Sequence, residues 1–181
     1  MKLSIPIIML FFIIGCTAQV ENIETEQIEK TEGVVKMKIT SPAFKSNQEI
    51  PAEFTCDGQD LSPELNFWSV PDNAKSLVLI MDDPDAPGGN WDHWIAFNIN
   101  PKTNTLPRGI EKAGVAGKNS WGRTGYGGPC PPSGTHRYIF KLYALDKMLD
   151  LKEGASKSEI ENAMQGHIIE KEELIGLYKR Q

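Results

Sequence analysis

The chain is poor in the residues that usually carry metal and redox chemistry, with three cysteines and three histidines in 181 residues. There is no Cys-x-x-Cys, which excludes a dithiol redox motif and a structural zinc site. There is no His-x-x-x-His, the short spacing by which helical metal sites announce themselves. Runs of lysine or arginine interleaved with aromatics are also missing. With 19 basic side chains against 24 acidic ones and a net charge of −5, nucleic acid is excluded as a partner. No internal repeat is present. No apolar run reaches the roughly 20 residues that span a bilayer. Ser133 sits in Pro131-Pro132-Ser133-Gly134, which is not a nucleophile elbow, so acyl transfer has no basis. Neither a cofactor nor a catalytic activity is expected.

The N-terminus differs in kind from the rest. Lys2 gives a short positive start, Leu3 to Ile14 is an almost unbroken apolar run, and Gly15-Cys16 follows at once. A basic start, an apolar core and a small residue at the break make an export signal over residues 1–15. Ile13-Ile14-Gly15-Cys16 resembles a lipobox, where the leader is cut before a cysteine that carries diacylglycerol. A lipidated Cys16 would anchor the chain to the membrane outside the cytoplasm. Stable anchoring needs more than one acyl chain, each buried CH₂ contributing about 0.8 kcal/mol. The alternative is a plain signal peptide with Cys16 an ordinary thiol. Residues 16–33 carry Glu21, Glu24, Glu26, Glu29 and Glu32 against a single Lys30. They hold too little apolar surface to offset their ordering entropy and read as an acidic tether. A short helix around Glu24 to Lys30 is the other reading.

Residues 34–181 read as one domain, long enough for a single hydrophobic core. Setting Cys16 aside leaves Cys56 and Cys130. Outside the cytoplasm such a pair is more often bridged than free; the alternative is two buried thiols that never meet. Pro and Gly punctuate the domain at short intervals, from Pro42 and Pro51 to Gly114 and Gly117, as in an all-β domain. Val34 to Thr40 alternates and predicts a strand. Leu65 to Trp68 predicts a short one. Ser76 to Met81 is a continuous apolar run and predicts a fully buried central strand. Trp94 to Ile99 and Tyr138 to Leu145 predict two more core strands. One helix is expected: Ser156-Lys157-Ser158-Glu159 is a capping box, and Ile160, Ala163, Met164 and Ile168 follow at helical spacing. Gly166 should end it. Leu174 to Tyr178 reads as a last edge strand.

Aspartate is concentrated at the end of the buried strand, in Asp82-Asp83-Pro84-Asp85-Ala86-Pro87. Carboxylates there are costly unless paired or solvated in a cleft, and two prolines fix where Asp83 and Asp85 point. Alone, this would be a surface turn. Two histidines change the reading. His93 lies between Trp91 and Trp94, just before a core strand; His136 follows the loop Gly127 to Thr135 and opens another. Each rigid loop sets a histidine at a strand edge, where a carboxylate can orient it. His167, at the helix end, reads as structural.

Asp83-Pro84-Asp85-Ala86-Pro87, then His93, then Pro131-Pro132 with Gly134-Thr135-His136-Arg137-Tyr138 resembles the phosphatidylethanolamine-binding protein family. The Raf-kinase-inhibitor-like branch of bacteria and archaea is the better match. Cys56-Asp57-Gly58 with Ser62-Pro63, the stretch Gly122 to Gly128, and Glu173 to Tyr178 support the likeness, which covers about Met37 to Arg180. The resemblance implies a sandwich of antiparallel sheets with a short helix near the C-terminus. It also implies a pocket for phosphate, acetate or a phosphorylated head group. Asp83, His93, His136 and Tyr138 would line it, with Gly134 in its loop. Pro87, Pro131 and Pro132 would wall it, and Asp85 would brace the loop. Two features depart from the family: the segment before His93 is short, and the eukaryotic branch's C-terminal helix is missing.

Physically, two imidazoles, a phenol and the N–H groups of a glycine loop can donate to an oxyanion. An aspartate beside an imidazole stabilises the imidazolium and raises its pKa. Arg137 should point to the opposite face from His136 and act structurally. The resemblance further offers a target protease or a signalling partner, met through a surface. The competing reading is a metal-dependent hydrolase built on the Asp/His cluster.

Overall fold

The computed structural model describes residues 35–180. The expected leader 1–15 and acidic tether 16–33 with Cys16, together with Val34, lie outside the described residues.

Two sheets pack around one core. The smaller is antiparallel and runs β1 (Lys38–Thr40), β3 (Leu65–Trp68), β6 (Thr105–Leu106). The larger has six strands in the order β2 (Gln48–Glu49), β9 (Ile168–Tyr178), β8 (His136–Leu145), β4 (Ser76–Asp83), β5 (Trp91–Ile99), β7 (Val115–Ala116). Its pairings are antiparallel except β2 with β9, so the larger sheet is mixed.

β4 shows why this sequence takes this form. Every one of its residues is buried, because β5 and β8 flank it and both faces are covered. Leu77, Leu79 and Met81 pack between the sheets with Ile39, Phe67 and Phe140. Val78 and Ile80 face the other way, packing with Ile95, Phe97, Ile160 and Met164 under the helix. A strand covered on both sides needs no polar residue, hence the unbroken apolar run. Each such side chain contributes about 2 kcal/mol on burial.

The helix α1 (Lys157–Met164) starts on the expected capping box, with the Glu159 N–H donating to Ser156 Oγ and the Ser156 N–H to the Glu159 carboxylate. Ile160 and Met164, four apart, are the residues it buries.

Several expected boundaries move: β4 runs on to Asp83, β5 already begins at Trp91 and β8 at His136. Ile168 begins β9 rather than continuing the helix, because Gly166 takes φ +76 and turns the chain out of it. The last strand runs Ile168–Tyr178, not Leu174 to Tyr178, and β2 covers its outer side at Gly176 and Leu177. Its first half is partly exposed and polar, so alternation is faint there. The first strand begins only at Lys38, which pairs with Trp68, the last residue of β3; Ser69 then turns away with φ +52.

Cys56 and Cys130 are bridged, 74 residues apart in sequence. The bond ties the loop after the 3₁₀ turn Ala52–Phe54 to the loop that enters β8.

Candidate functional site

The alternation of β4 and β8 carries into their ends and decides which charges meet. On β4, Asp83 shares the inter-sheet face with Leu77, Leu79 and Met81, while Asp82 shares the helix face with Val78 and Ile80. On β8, His136 and Tyr138 continue the inter-sheet row of Phe140 and Leu142; Arg137 alternates with them, as expected.

β5 breaks the rule. Met81 pairs with Trp94 but Asp82 pairs with Asp92, which leaves His93 as an extra residue in a bulge. The bulge lets His93 reach the ring of Tyr138 at 5.1 Å while Trp94 also packs into the inter-sheet core. Asp92, flipped to the other face, meets Lys157 at 2.8 Å.

At this edge of the sandwich lies a cavity of about 460 Å³. Asp83, Pro87, His93, Pro132 and His136 line it, together with Trp91, Trp121, Arg123, Asp60 and the Gly127-Gly128 pair. The Cys56–Cys130 bridge forms part of its wall.

The floor is a buried pair. His136 Nδ1 lies 2.7 Å from Asp83 Oδ2, with the two side chains 8% and 5% exposed. Asp83 Oδ1 accepts the Asp85 N–H at 2.8 Å, so both carboxylate oxygens are engaged. An Nδ1–H donated to Asp83 leaves His136 Nε2 as that ring's free polar atom.

His93 is held differently. Its Nδ1–H donates to the Gly127 carbonyl at 2.7 Å, and its ring meets Trp121 and Tyr138 edge-on. Burial pushes its pKa down, against the smaller upward pull of the Gly127 carbonyl and of Asp83. The expected rise does not occur at this histidine, because desolvation outweighs the carboxylate. Near neutral pH His93 is therefore an Nδ1–H tautomer whose Nε2 accepts.

Four candidates stand outside this lining. Asp85 is not in the cavity lining; it holds Arg137 by two side-chain bonds of 2.9 and 2.7 Å and takes the Arg137 N–H at 2.9 Å. The guanidinium holds the Asp85 carboxyl down to about 2. Asp85 braces the loop, as expected, and its carboxylate is occupied in doing so. Pro131 and Gly134 also fall outside the lining. Tyr138 is fully buried behind His93 rather than on the wall, and burial followed by the Asp83 charge pushes its phenol far up. The glycine loop offers few donors: the Gly127 N–H bonds the His93 carbonyl and the Gly128 N–H bonds Asp60 Oδ1.

Nor do the candidates converge on a metal. His93 Nδ1 faces a carbonyl, His136 Nδ1 faces Asp83, and Asp85 is taken by Arg137. Among the described residues no group of three or more His, Cys, Asp or Glu could hold a metal ion.

Reading residues alone missed Trp121, Arg123 and Asp60 as parts of the site. The glycine- and aromatic-rich run Trp121-Gly122-Arg123-Thr124-Gly125-Tyr126 was the available signal.

These features define a sandwich with a histidine–carboxylate cavity at one edge, and the same class appears in the comparisons with known proteins. The profile of the phosphatidylethanolamine-binding protein family matches residues 40–179, and the chain belongs to that family. A UPF0098 protein of Pyrococcus horikoshii is 46% identical over 193 residues, covering 99% of this chain and 91% of the relative. One from Methanothermobacter thermautotrophicus is 50% identical over 150 residues, covering 80% and 99%. Among solved structures, a phosphatidylethanolamine-binding protein homologue of Chlamydia trachomatis has a TM-score of 0.79 at 44% identity, covering 81% of this chain and 99% of its own. E. coli YbcL, described as a member of the mammalian family, has a TM-score of 0.75 at 29% identity, with the same coverage.

Proposed function

We propose that the domain is a binding module for an anionic small molecule or a phosphorylated head group, of the Raf-kinase-inhibitor-like branch, held outside the cytoplasm by a lipidated Cys16. The observation that carries the binding reading is the buried Asp83–His136 pair at the floor of a cavity, with Nε2 free. A carboxylate behind an imidazole fixes the ring's tautomer and orientation and turns Nε2 toward the cavity. His93 supplies a second Nε2, which accepts while neutral and donates once protonated. Seating an anion there takes up a proton, so affinity should rise as pH falls. Export is supported by the leader and by the Cys56–Cys130 bridge, a bond typical of oxidising compartments.

The test is calorimetric titration of the full-length chain in mild detergent with acetate, whose charge is constant between pH 8 and 6. Binding should strengthen across that range and vanish in Asp83→Asn and His136→Ala. No heat at any pH, or binding indifferent to both substitutions, would move function away from the cavity.

A further inference from the structure

Four arginines lie in the described chain, and three are held by carboxylates: Arg108 by Glu53, Arg137 by Asp85 and Arg180 by Asp57. Arg123 has no ion pair among the described residues, and it lines the cavity. Its guanidinium lies over the Trp121 ring at 5.5 Å from the centroid. Trp121 is itself fixed, edge-on to Trp91 at 5.5 Å and to His93 at 5.0 Å.

The loop that presents these two side chains is organised from within. Asn119 is 4% exposed. Its Oδ1 accepts the N–H groups of Trp121 and Arg123 at 3.1 and 3.3 Å. Its Nδ2 donates to the Gly125 carbonyl at 3.2 Å, and its own N–H to the Arg123 carbonyl at 2.9 Å. A buried amide thus sets the backbone at both Trp121 and Arg123.

Charge makes this placement matter. Two carboxylates line the cavity, Asp83 and Asp60. Asp83 takes the His136 Nδ1–H and the Asp85 N–H, and among the described residues Asp60 takes the Gly128 N–H alone. His93 is buried and neutral near pH 7. Among the described residues that line the cavity, Arg123 alone carries a permanent positive charge to offset these carboxylates for an entering anion. A guanidinium is always charged, and its planar fork matches a phosphoryl group in two parallel bonds.

We infer that Arg123 is a ligand-binding residue, the fixed cation that makes the cavity select a dianionic phosphoryl group over a monoanionic carboxylate. This rests on the cavity reading above. Trp121 stacks the guanidinium in place, and Asn119 is a positioning residue that acts through both.

The experiment measures inorganic phosphate and acetate affinities at pH 8 by calorimetry on the full-length chain. Parent, Arg123→Ala, Arg123→Lys and Asp60→Asn are compared, with unfolding curves to check the fold. Arg123→Ala should weaken phosphate roughly tenfold or more, the size of a lost charge-assisted bond, and weaken acetate less. Arg123→Lys should recover part of the phosphate affinity, and Asp60→Asn should tighten phosphate. A parent that binds phosphate with affinity within twofold of a folded Arg123→Ala overturns this inference and leaves the cavity reading intact. Equal losses for phosphate and acetate overturn the selectivity. A parent that binds neither anion overturns both readings.

Discussion

Asp82 and Asp83 are neighbours in sequence and live in opposite chemistries. Asp82, on the helix face, is fully buried; its Oδ2 receives Lys141 Nζ at 2.6 Å and Lys157 Nζ at 2.9 Å. Burial alone would raise its pKa, but the two ammonium groups together hold it below the ordinary range. Lys157 goes on to Asp92, so the network fastens the first turn of α1 to β4 and β5. Asp83, on the inter-sheet face, meets an imidazole and opens on a cavity. The helix side is closed by charge. The cavity side is held by a disulfide and by main-chain bonds: Cys56 N–H to Pro129, Tyr126 Oη–H to Phe54, His93 to Gly127. The lesson is that a strand end can fasten one face permanently while leaving the other adjustable, provided the two carboxylates sit on alternate sides.

The comparison can be broken from either side. The largest effect should come from the covalent one. Reducing Cys56–Cys130, or replacing both by Ser, should cost about 4 kcal/mol of stability in the chain-entropy model for a loop of this length. Denaturant unfolding with and without reductant reads it. A change under 1 kcal/mol would mean the hydrogen bonds across the same seam suffice.

Next is Asp82→Asn, which leaves two lysines without their shared carboxylate and should cost about 3 kcal/mol while leaving acetate binding unchanged. The network also predicts a pH window. The depressed carboxyl gives stability that is present above its ordinary 3.8 and lost as pH falls through its lower folded value. Lys157, raised by Asp92 and Asp82 against its burial, gives stability that is present below 10.5 and lost as pH rises through its higher folded value. Unfolding of Asp82→Asn should lose the acid limb; an unchanged acid limb assigns it to another carboxylate.

The smallest effect belongs to His93. Its folded pKa lies below 6.5, so the unfolded chain binds the proton that the buried ring refuses. Stability is full above 6.5 and declines as pH falls below it. His93→Asn should flatten that slope between pH 7 and 5 in thermal unfolding, and a slope that persists would place it elsewhere.

Much of this was legible beforehand. The apolar run of β4 and the capping box of α1 follow from local pattern, while the family resemblance implied that Asp83 and His136 share a pocket but not that they pair. The bulge at His93 was not, because alternation implies that adjacent residues oppose each other, and His93 and Trp94 do not. Asp85, Pro131, Gly134 and Tyr138 came in with the family motif, which does not say which side chains border this cavity. Arg123 stood in a conspicuous run, but its significance, like that of Asp60, lies in which charges lack partners, and pairing is a property of the folded chain.

Gly127 is pinned twice. Its carbonyl steers His93, and a Cβ there would stand 2.5 Å from the Trp121 ring, so the indole would have to shift. An alanine at 127 would displace the indole at 121, and with it the seat of the guanidinium at 123. The three positions are coupled through one ring.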